Sequence, residues 1–315
     1  MNYLELKPSN QTKLFGYENS FSKIATLFNE KKLPNKILFT GSKGVGKATF
    51  AYHLINYIFS KDEKFNYDLT NFQINSENKS YKLVLSNSHP NFFLIDLLDE
   101  KKMIEISQIR DMIKYSNKSA FNNKERIVLI DNAENLNLNS SSALLKIIEE
   151  PNENLLFILI FDNNKNLLET IKSRCIKFNF FLPFNESVKI TNNIIEENLY
   201  DQLNNDIINY YNTVGDFINL IKFSKTFKIN LSETTFNDFL ISLIENKYYK
   251  KDIFIKDSIY KYVEFYLLKL INLNRSNKKI INLYENFIKK IHFIKKFNLD
   301  DESFFIELRS KVLNG

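Results

Sequence analysis

A glycine-rich loop that could bind phosphate lies in the first part of this 315-residue chain. Residues 41–47 are Gly-Ser-Lys-Gly-Val-Gly-Lys, the start of the GxxxxGK[ST] phosphate-loop (P-loop) pattern. The three glycines, Gly41, Gly44 and Gly46, let backbone amides wrap around an anion. A helix beginning after them would add a favourable dipole, and Lys47 could reach the outer phosphates of a nucleotide. The pattern predicts a nucleotide-binding loop.

The residue after the lysine departs from that pattern. A serine or threonine hydroxyl normally ligates Mg²⁺ at this position, and the chain has Ala48 instead. Thr49 comes one residue later, about 100° further round the helix, so it faces a different part of the ligand. Passive binding of ATP or ADP at Lys47 and Thr49 stays open, but we expect Mg²⁺ to be poorly held.

A second half of the site follows a short apolar run. Residues 127–130 predict a strand, and Asp131 at its carboxyl end has the position of an acid that helps to hold Mg²⁺. In P-loop ATPases with this arrangement, a glutamate directly follows the acid and activates the attacking water. Here the next residue is Asn132, whose amide cannot accept the proton. Glu134 is in the wrong register, and we expect it to be a solvated surface residue.

Strands must position these residues. Five short apolar runs predict strands, at residues 37–40, 92–95, 127–130, 155–161 and 176–180. Helical patterns lie between them, at residues 47–59, 106–115 and 140–150. The alternation predicts an α/β domain whose parallel sheet has helices on both faces.

The rest of the chain lacks that alternation. Residues 61–85 are polar, asparagine-rich and irregular, which predicts an exposed insertion. Beyond Pro183 the patterns are helical, with one late apolar face formed by Tyr284, Phe287, Ile288, Ile291 and Ile294. We therefore expect a P-loop domain over residues 1–182, a small helical lid domain over 183–226 and an all-helical domain over 227–315.

Composition excludes some functions. The formal net charge of +6 suits a protein that works near nucleic acid, but the lysines are scattered as on an ordinary solvated surface. Cys175 is the only cysteine, which excludes an internal disulfide and a thiolate zinc site. His53, His89 and His292 lack metal-ligand spacing. Without a signal peptide or a membrane-spanning run, a soluble cytoplasmic protein with no metal site is expected.

Longer segments resemble the subunits of bacterial clamp loaders, which are AAA+ P-loop proteins. The most specific are residues 139–151, Asn-Ser-Ser-Ser-Ala-Leu-Leu-Lys-Ile-Ile-Glu-Glu-Pro, and residues 173–175, Ser-Arg-Cys. Residues 14–18, 33–41 and 88–91 resemble the same family. The resemblance covers residues 12–182 and implies that the lid domain and an oligomerisation collar follow the AAA+ domain.

The resemblance also implies a role for Arg174. In this family the arginine of Ser-Arg-Cys is an arginine finger, which reaches the γ-phosphate of ATP on the adjacent subunit. A guanidinium suits that task because it is planar and permanently charged. The alternative is a structural arginine at the end of the sheet, and Cys175 beside it is expected to pack against the sheet. The implied partners are gamma/tau and delta subunits in a hetero-pentamer, and through them the sliding clamp and primed DNA, with no membrane.

The departures from the family pattern distinguish between kinds of subunit. A motor subunit would need the hydroxyl after Lys47, the glutamate after Asp131 and a second-domain arginine, which residues 213–217 lack. A chain that keeps the finger without these residues resembles the stator-like subunit, whose own ATPase is weak or absent. Some members carry a four-cysteine zinc module near residues 61–87, where this chain has no cysteine.

Three other functions stay open. A gamma/tau-like motor subunit would hydrolyse ATP despite Ala48 and Asn132. A P-loop nucleotide kinase would use the same loop, but it would leave the Glu-Glu-Pro and Ser-Arg-Cys segments unexplained. A simple DNA-binding module is poorly supported by the scattered charge.

Overall fold

The computed structural model describes residues 5–98, 101–117, 125–149, 154–209, 211–273, 278–297 and 299–313. The chain forms two compact units. Unit 1 comprises Met1–Ile195 and Thr213–Asp216, and unit 2 comprises Glu196–Asn212 and Phe217–Gly315. The division into three domains remains a prediction from the sequence.

Unit 1 is built on a five-stranded parallel sheet with the order β2-β3-β4-β1-β5. Its strands are β1 (Lys36–Gly41), β2 (Phe92–Ile95), β3 (Arg126–Ile130), β4 (Leu155–Asp162) and β5 (Ile176–Asn179). All five predicted strands are confirmed. The three central strands are almost wholly buried, which explains their continuous apolar runs.

Unit 1 contains the three helices predicted between the strands, the start of the helical region predicted after Pro183, and three further helices. They are α1 (Glu18–Asn29), α2 (Lys47–Ser60), α3 (Lys79–Leu85), α4 (Ile106–Ser116), α5 (Leu138–Glu149), α6 (Glu169–Lys172) and α7 (Phe184–Ile195). The predicted end of α5, at Glu150 and Pro151, lies outside the described residues.

Two apolar cores lie on opposite faces of the sheet, because alternate residues of a strand point to opposite sides. Ile37 and Ile158 pack with α1 and α2. Leu38 and Phe157 pack with α4, α5 and α6 on the other face. The prediction of helices on both faces is therefore confirmed. Cys175 is buried in the second core, as expected of a packing residue.

The segment predicted as an exposed, irregular insertion is in fact partly built into the first core. Four of its side chains are buried there, namely Tyr67, Ile74, Tyr81 and Val84. The segment also contains α3. The prediction was wrong because these few apolar residues are separated by polar, asparagine-rich stretches that hide them in the sequence pattern.

Asn78 holds this segment together. Its side chain is fully buried, and its Nδ2 donates to Glu63 Oε2 at 2.7 Å and to the Phe65 carbonyl at 2.8 Å. Its Oδ1 accepts from the Tyr81 amide at 2.7 Å, which caps the N-terminus of α3, and from Asn56 Nδ2 at 3.1 Å. One amide therefore links α2, α3 and the loop between them.

Replacing Asn78 should destabilise unit 1. We expect Asn78→Ala to lower the free energy of unfolding by about 2–4 kcal/mol, because a helix cap is lost and buried polar groups lose their partner. Lys79→Ala, at an exposed position one residue later, is the matched control and should change it by less than about 0.5 kcal/mol. Urea unfolding measures both variants; equal effects would contradict the role given to Asn78.

Unit 2 is helical, as predicted for the second half of the chain. Its helices are α8 (Leu199–Gln202), α9 (Val214–Phe227, whose first residues belong to unit 1), α10 (Phe236–Glu245), α11 (Tyr248–Lys251), α12 (Ile253–Leu273), α13 (Lys278–Phe297) and α14 (Asp301–Leu308). A π-helical turn at Arg309–Leu313 follows α14. Phe287, Ile291 and Ile294 are buried on one face of α13, in agreement with the predicted apolar face.

Within the part of the chain that is described, no helix combines the length and the apolar character needed to cross a membrane.

Candidate nucleotide loop and arginine site

The glycine-rich loop joins the carboxyl end of β1 to the N-terminus of α2, as the motif predicts. Gly44 and Gly46 have φ values of +86° and +95°, which glycine adopts without strain. Lys47 is the first residue of α2 and Thr49 the third. Gly41, Gly46 and Lys47 therefore lie at the motif positions of a phosphate-binding loop, and Thr49 lies one residue beyond the position of the motif's hydroxyl.

The side chain of Lys47 is buried and bound to its own loop. Its Nζ donates to the carbonyl of Gly41 and, at 2.7 Å, to that of Ser42. Burial lowers the pKa of Lys47, while the nearby carboxylates of Asp162, Glu134 and Asp131 oppose that shift. The ammonium that would reach a nucleotide thus already has carbonyl and carboxylate neighbours.

Other parts of unit 1 hold the remaining carbonyls of the loop. The Thr213 hydroxyl donates to the Lys43 carbonyl at 3.1 Å, and the Gly215 amide donates to the Gly44 carbonyl at 2.9 Å. The Tyr17 hydroxyl donates to the Val45 carbonyl at 3.0 Å. Sequence reasoning noted residues 213–217 only for the arginine that they lack, and it missed that this segment fixes the loop.

Three neighbouring strands end in an acid. Asp96 directly follows β2, Asp131 directly follows β3, and Asp162 is the last residue of β4. Because the carboxyl ends of parallel strands meet at one edge of a sheet, these acids share the edge with the glycine-rich loop. Sequence reasoning identified Asp131 alone, although an acid closing three successive apolar runs was a readable signal.

Asn132 links two of these carboxylates. Its backbone conformation is left-handed, with φ of +53°, and its backbone N–H donates to Asp131 Oδ1 at 2.8 Å. Its side-chain Nδ2 donates to Asp96 Oδ1 at 2.7 Å. At the position of a water-activating glutamate, the chain therefore has a hydrogen-bond donor that ties the ends of β2 and β3 together.

The expectation for Glu134 was wrong. Its side chain is only 3% exposed, and its Oε2 accepts from the Asp162 amide at 3.1 Å. Lys165 Nζ lies 3.7 Å from the other carboxylate oxygen. A 3₁₀ turn at Ala133–Asn135 directs the side chain toward the end of β4. This turn could not be inferred from the hydrophobic pattern.

The residues fit a phosphate better than a metal ion. Ala48 packs against the first core and carries no oxygen with which to hold Mg²⁺. Asp131 is the one acid at the expected metal position, and its charge is disfavoured. Removal from water and the nearby charge of Asp96 raise the pKa of Asp131 to about 7.

The raised pKa of Asp131 predicts a pH-dependent stability. In the unfolded chain this carboxyl ionises near pH 4, so between pH 4 and about 7 the folded state binds the extra proton. The stability that the protonated Asp131 carboxyl contributes therefore falls as pH rises and is lost above about pH 7. We expect Asp131→Asn to match the original chain at pH 4 and to be more stable by about 2–4 kcal/mol at pH 8.

Urea unfolding at the two pH values measures this difference. Asp111→Asn, which changes an exposed aspartate paired with Lys114, is the control and should show no such pH dependence. An Asp131→Asn variant whose relative stability is the same at pH 4 and pH 8 would contradict the assignment.

Arg174 lies in the turn between α6 and β5. Its Nη1 donates to the Thr170 carbonyl at 3.0 Å, and its Nη2 lies 2.6 Å from Glu149 Oε1. The side chain is 37% exposed, so the guanidinium is at the surface. Burial raises the pKa of the neighbouring Cys175 thiol to about 11, which keeps it protonated and unreactive near neutral pH.

The arginine and the glycine-rich loop lie at opposite edges of the sheet. Strands β5 and β1 are parallel, with Ile176 opposite Ile37. Arg174 precedes β5, whereas the loop follows the last residue of β1, Gly41. Four residues of strand, or about 13 Å, separate the levels of Ile37 and Gly41. The structure therefore brings Lys47 and Asp131 together, and it does not bring Arg174 to them.

The strand order, the loop after β1 and the acid after β3 define the class: unit 1 is a P-loop domain of the AAA+ kind, as predicted. The sequence model of the family described as DNA polymerase III, delta subunit, matches residues 16–183. This match covers more than half of the chain, and the chain belongs to that family.

Individual relatives agree with the family. The chain is 35% identical over 101 residues to DNA polymerase III subunit delta-prime of Pseudomonas aeruginosa, covering 32% of this chain and 31% of the relative. It is 27% identical over 193 residues to the delta-prime subunit of Bacillus subtilis, covering 60% and 54%. Against the gamma/tau subunit of Mycoplasma genitalium it is 29% identical over 199 residues, covering 63% and 31%.

These matches span between about a third and a half of the length of the relatives. They confirm the resemblance to clamp-loader subunits, and the named relatives include subunits of both the delta-prime and the gamma/tau type.

Proposed function

We propose that this chain is a delta-prime subunit of a DNA polymerase III clamp loader and that it supplies Arg174 to ATP bound by a neighbouring subunit. The observation that carries the proposal is the position of Arg174. It lies at the surface, at the edge of the sheet opposite the chain's own glycine-rich loop.

Geometry argues against a role of Arg174 in its own nucleotide site. A hydrogen bond to a phosphate oxygen requires about 2.9 Å, whereas about 13 Å of strand lies between the two edges of the sheet. A guanidinium can stabilise the charge that develops on a transferred phosphoryl group, and it can do so from another subunit. Arg174 is therefore suited to contact a nucleotide that is bound by another subunit.

The chain's own site supports the same division of roles. It has Ala48 in place of the metal-binding hydroxyl and Asn132 in place of a general base. Lys47 donates hydrogen bonds to two carbonyls of the loop. Thr213 and Gly215 donate to two other carbonyls of the same loop. We propose that ATP or ADP binds there passively and that this chain contributes little hydrolysis of its own.

The proposed assembly follows from the family. Gamma/tau and delta subunits would complete a hetero-pentamer, with the helical C-terminal domain as the collar. The sliding clamp and primed DNA would be reached through that complex. A gamma/tau-like motor is disfavoured by Ala48 and Asn132. A nucleotide kinase is disfavoured because the matched family region includes the Ser-Arg-Cys segment.

Removing the guanidinium should impair the neighbouring ATP site. In a loader reconstituted with its gamma/tau and delta subunits, we expect Arg174→Ala to reduce DNA-stimulated ATP hydrolysis at the completed site and clamp loading by at least about tenfold. Arg174→Lys keeps the charge but loses the planar fork, so it should restore only part of the activity.

Lys177→Ala, which removes an exposed cation from β5, is the matched control and should leave both activities unchanged. Size-exclusion chromatography establishes that each complex assembles. Normal ATPase and clamp-loading rates in an assembled Arg174→Ala complex would refute the arginine-finger proposal.

The isolated chain should not turn over ATP. Without the hydroxyl and the glutamate, we expect no magnesium-dependent phosphate release above background, whether or not calorimetry detects nucleotide binding. Brisk magnesium-dependent hydrolysis by the purified chain would instead favour a gamma/tau-like motor.

A further inference from the structure

Two contacts from two different helices hold the guanidinium of Arg174. Glu149, the last residue of α5, places a carboxylate oxygen 2.6 Å from Nη2. Thr170, in α6, accepts from Nη1 through its carbonyl at 3.0 Å.

We propose that Glu149 is a positioning residue, which holds the Arg174 guanidinium in the orientation that a neighbouring nucleotide requires. This inference rests on the proposed arginine finger. It goes beyond that proposal because it assigns a specific task to the carboxylate that pairs with Arg174.

The helices that carry Glu149 and Thr170 pack into the same apolar core. Ile148, the preceding residue of α5, is fully buried, and so is Ile171 of α6. Both isoleucines belong to the second core, on the same face of the sheet. Glu149 and Thr170 are therefore anchored to one packed body, whereas an arginine side chain without partners would populate many rotamers.

The contacts leave the arginine able to bind phosphate. A guanidinium has five N–H donors, and these two contacts use only part of them. Glu149 is 49% exposed and Arg174 is 37% exposed, so water screens their attraction. A nearby triphosphate can thus engage the free donors without first breaking a strong buried ion pair.

The test uses Glu149→Ala and Glu149→Gln in the reconstituted loader. For Glu149→Ala we expect the kcat of DNA-stimulated ATP hydrolysis to fall by about two- to fivefold, the size expected from losing one exposed ion pair. The KM for ATP should stay within about twofold, because the neighbouring subunit still binds the nucleotide. Glu149→Gln keeps an acceptor oxygen and should lose less activity.

Glu169→Ala is the matched control. Glu169 is also an exposed carboxylate, in the helix whose Thr170 contacts Arg174, but it pairs with Lys172 at 2.9 Å. This variant should leave kcat and KM unchanged. A purely structural role for Glu149 would instead appear as a lower unfolding temperature of the isolated chain with the kinetic constants of the assembled loader unaltered.

A double-variant cycle separates the two proposals. If Glu149 acts through Arg174, adding Glu149→Ala to the Arg174→Ala chain should reduce kcat no further. A further reduction, or an unchanged or higher kcat in Glu149→Ala alone, would overturn the positioning role while the arginine finger stands. An Arg174→Ala complex with full activity would instead overturn the proposed function on which this inference rests.

Discussion

The common direction of the five strands is the constraint from which the rest of unit 1 follows. Because all strands are parallel, every strand ends at one edge of the sheet and begins at the other. The glycine-rich loop and three acids collect at the carboxyl edge, and Arg174 lies at the amino edge. One chain can therefore present a phosphate loop and an arginine to two different places, but it cannot bring both to one phosphate.

At the carboxyl edge, polar groups of the protein bind one another. Lys47 donates to carbonyls of its own loop, Asn132 ties Asp131 to Asp96, and Glu134 accepts from the end of β4. Buried polar groups require partners, and here the protein itself supplies them. Asp131 lies at the same edge, where burial and the nearby charge of Asp96 raise its pKa.

Much of this arrangement could be predicted from the sequence. Continuous apolar runs identified the buried strands, and the glycines, Lys47, Ala48 and Asn132 were readable because a motif fixes their spacing. The insertion at residues 61–85 was misjudged, since its buried residues are tied together by Asn78, a polar side chain that no hydrophobic pattern reveals. Glu134 was misjudged because a single 3₁₀ turn decides whether a surface-like glutamate points inward.

The sequence by itself determined the class of fold, the phosphate loop and its missing hydrolytic groups, because these depend on residue types at short, fixed spacings. Only the tertiary structure decided which distant residues meet. Thr213 and Gly215 lie about 170 positions from the loop that they hold, and Glu149, the last residue of α5, lies 25 positions from Arg174. Such contacts arise when packing against the sheet brings separate elements together, and the local sequence pattern does not predict them.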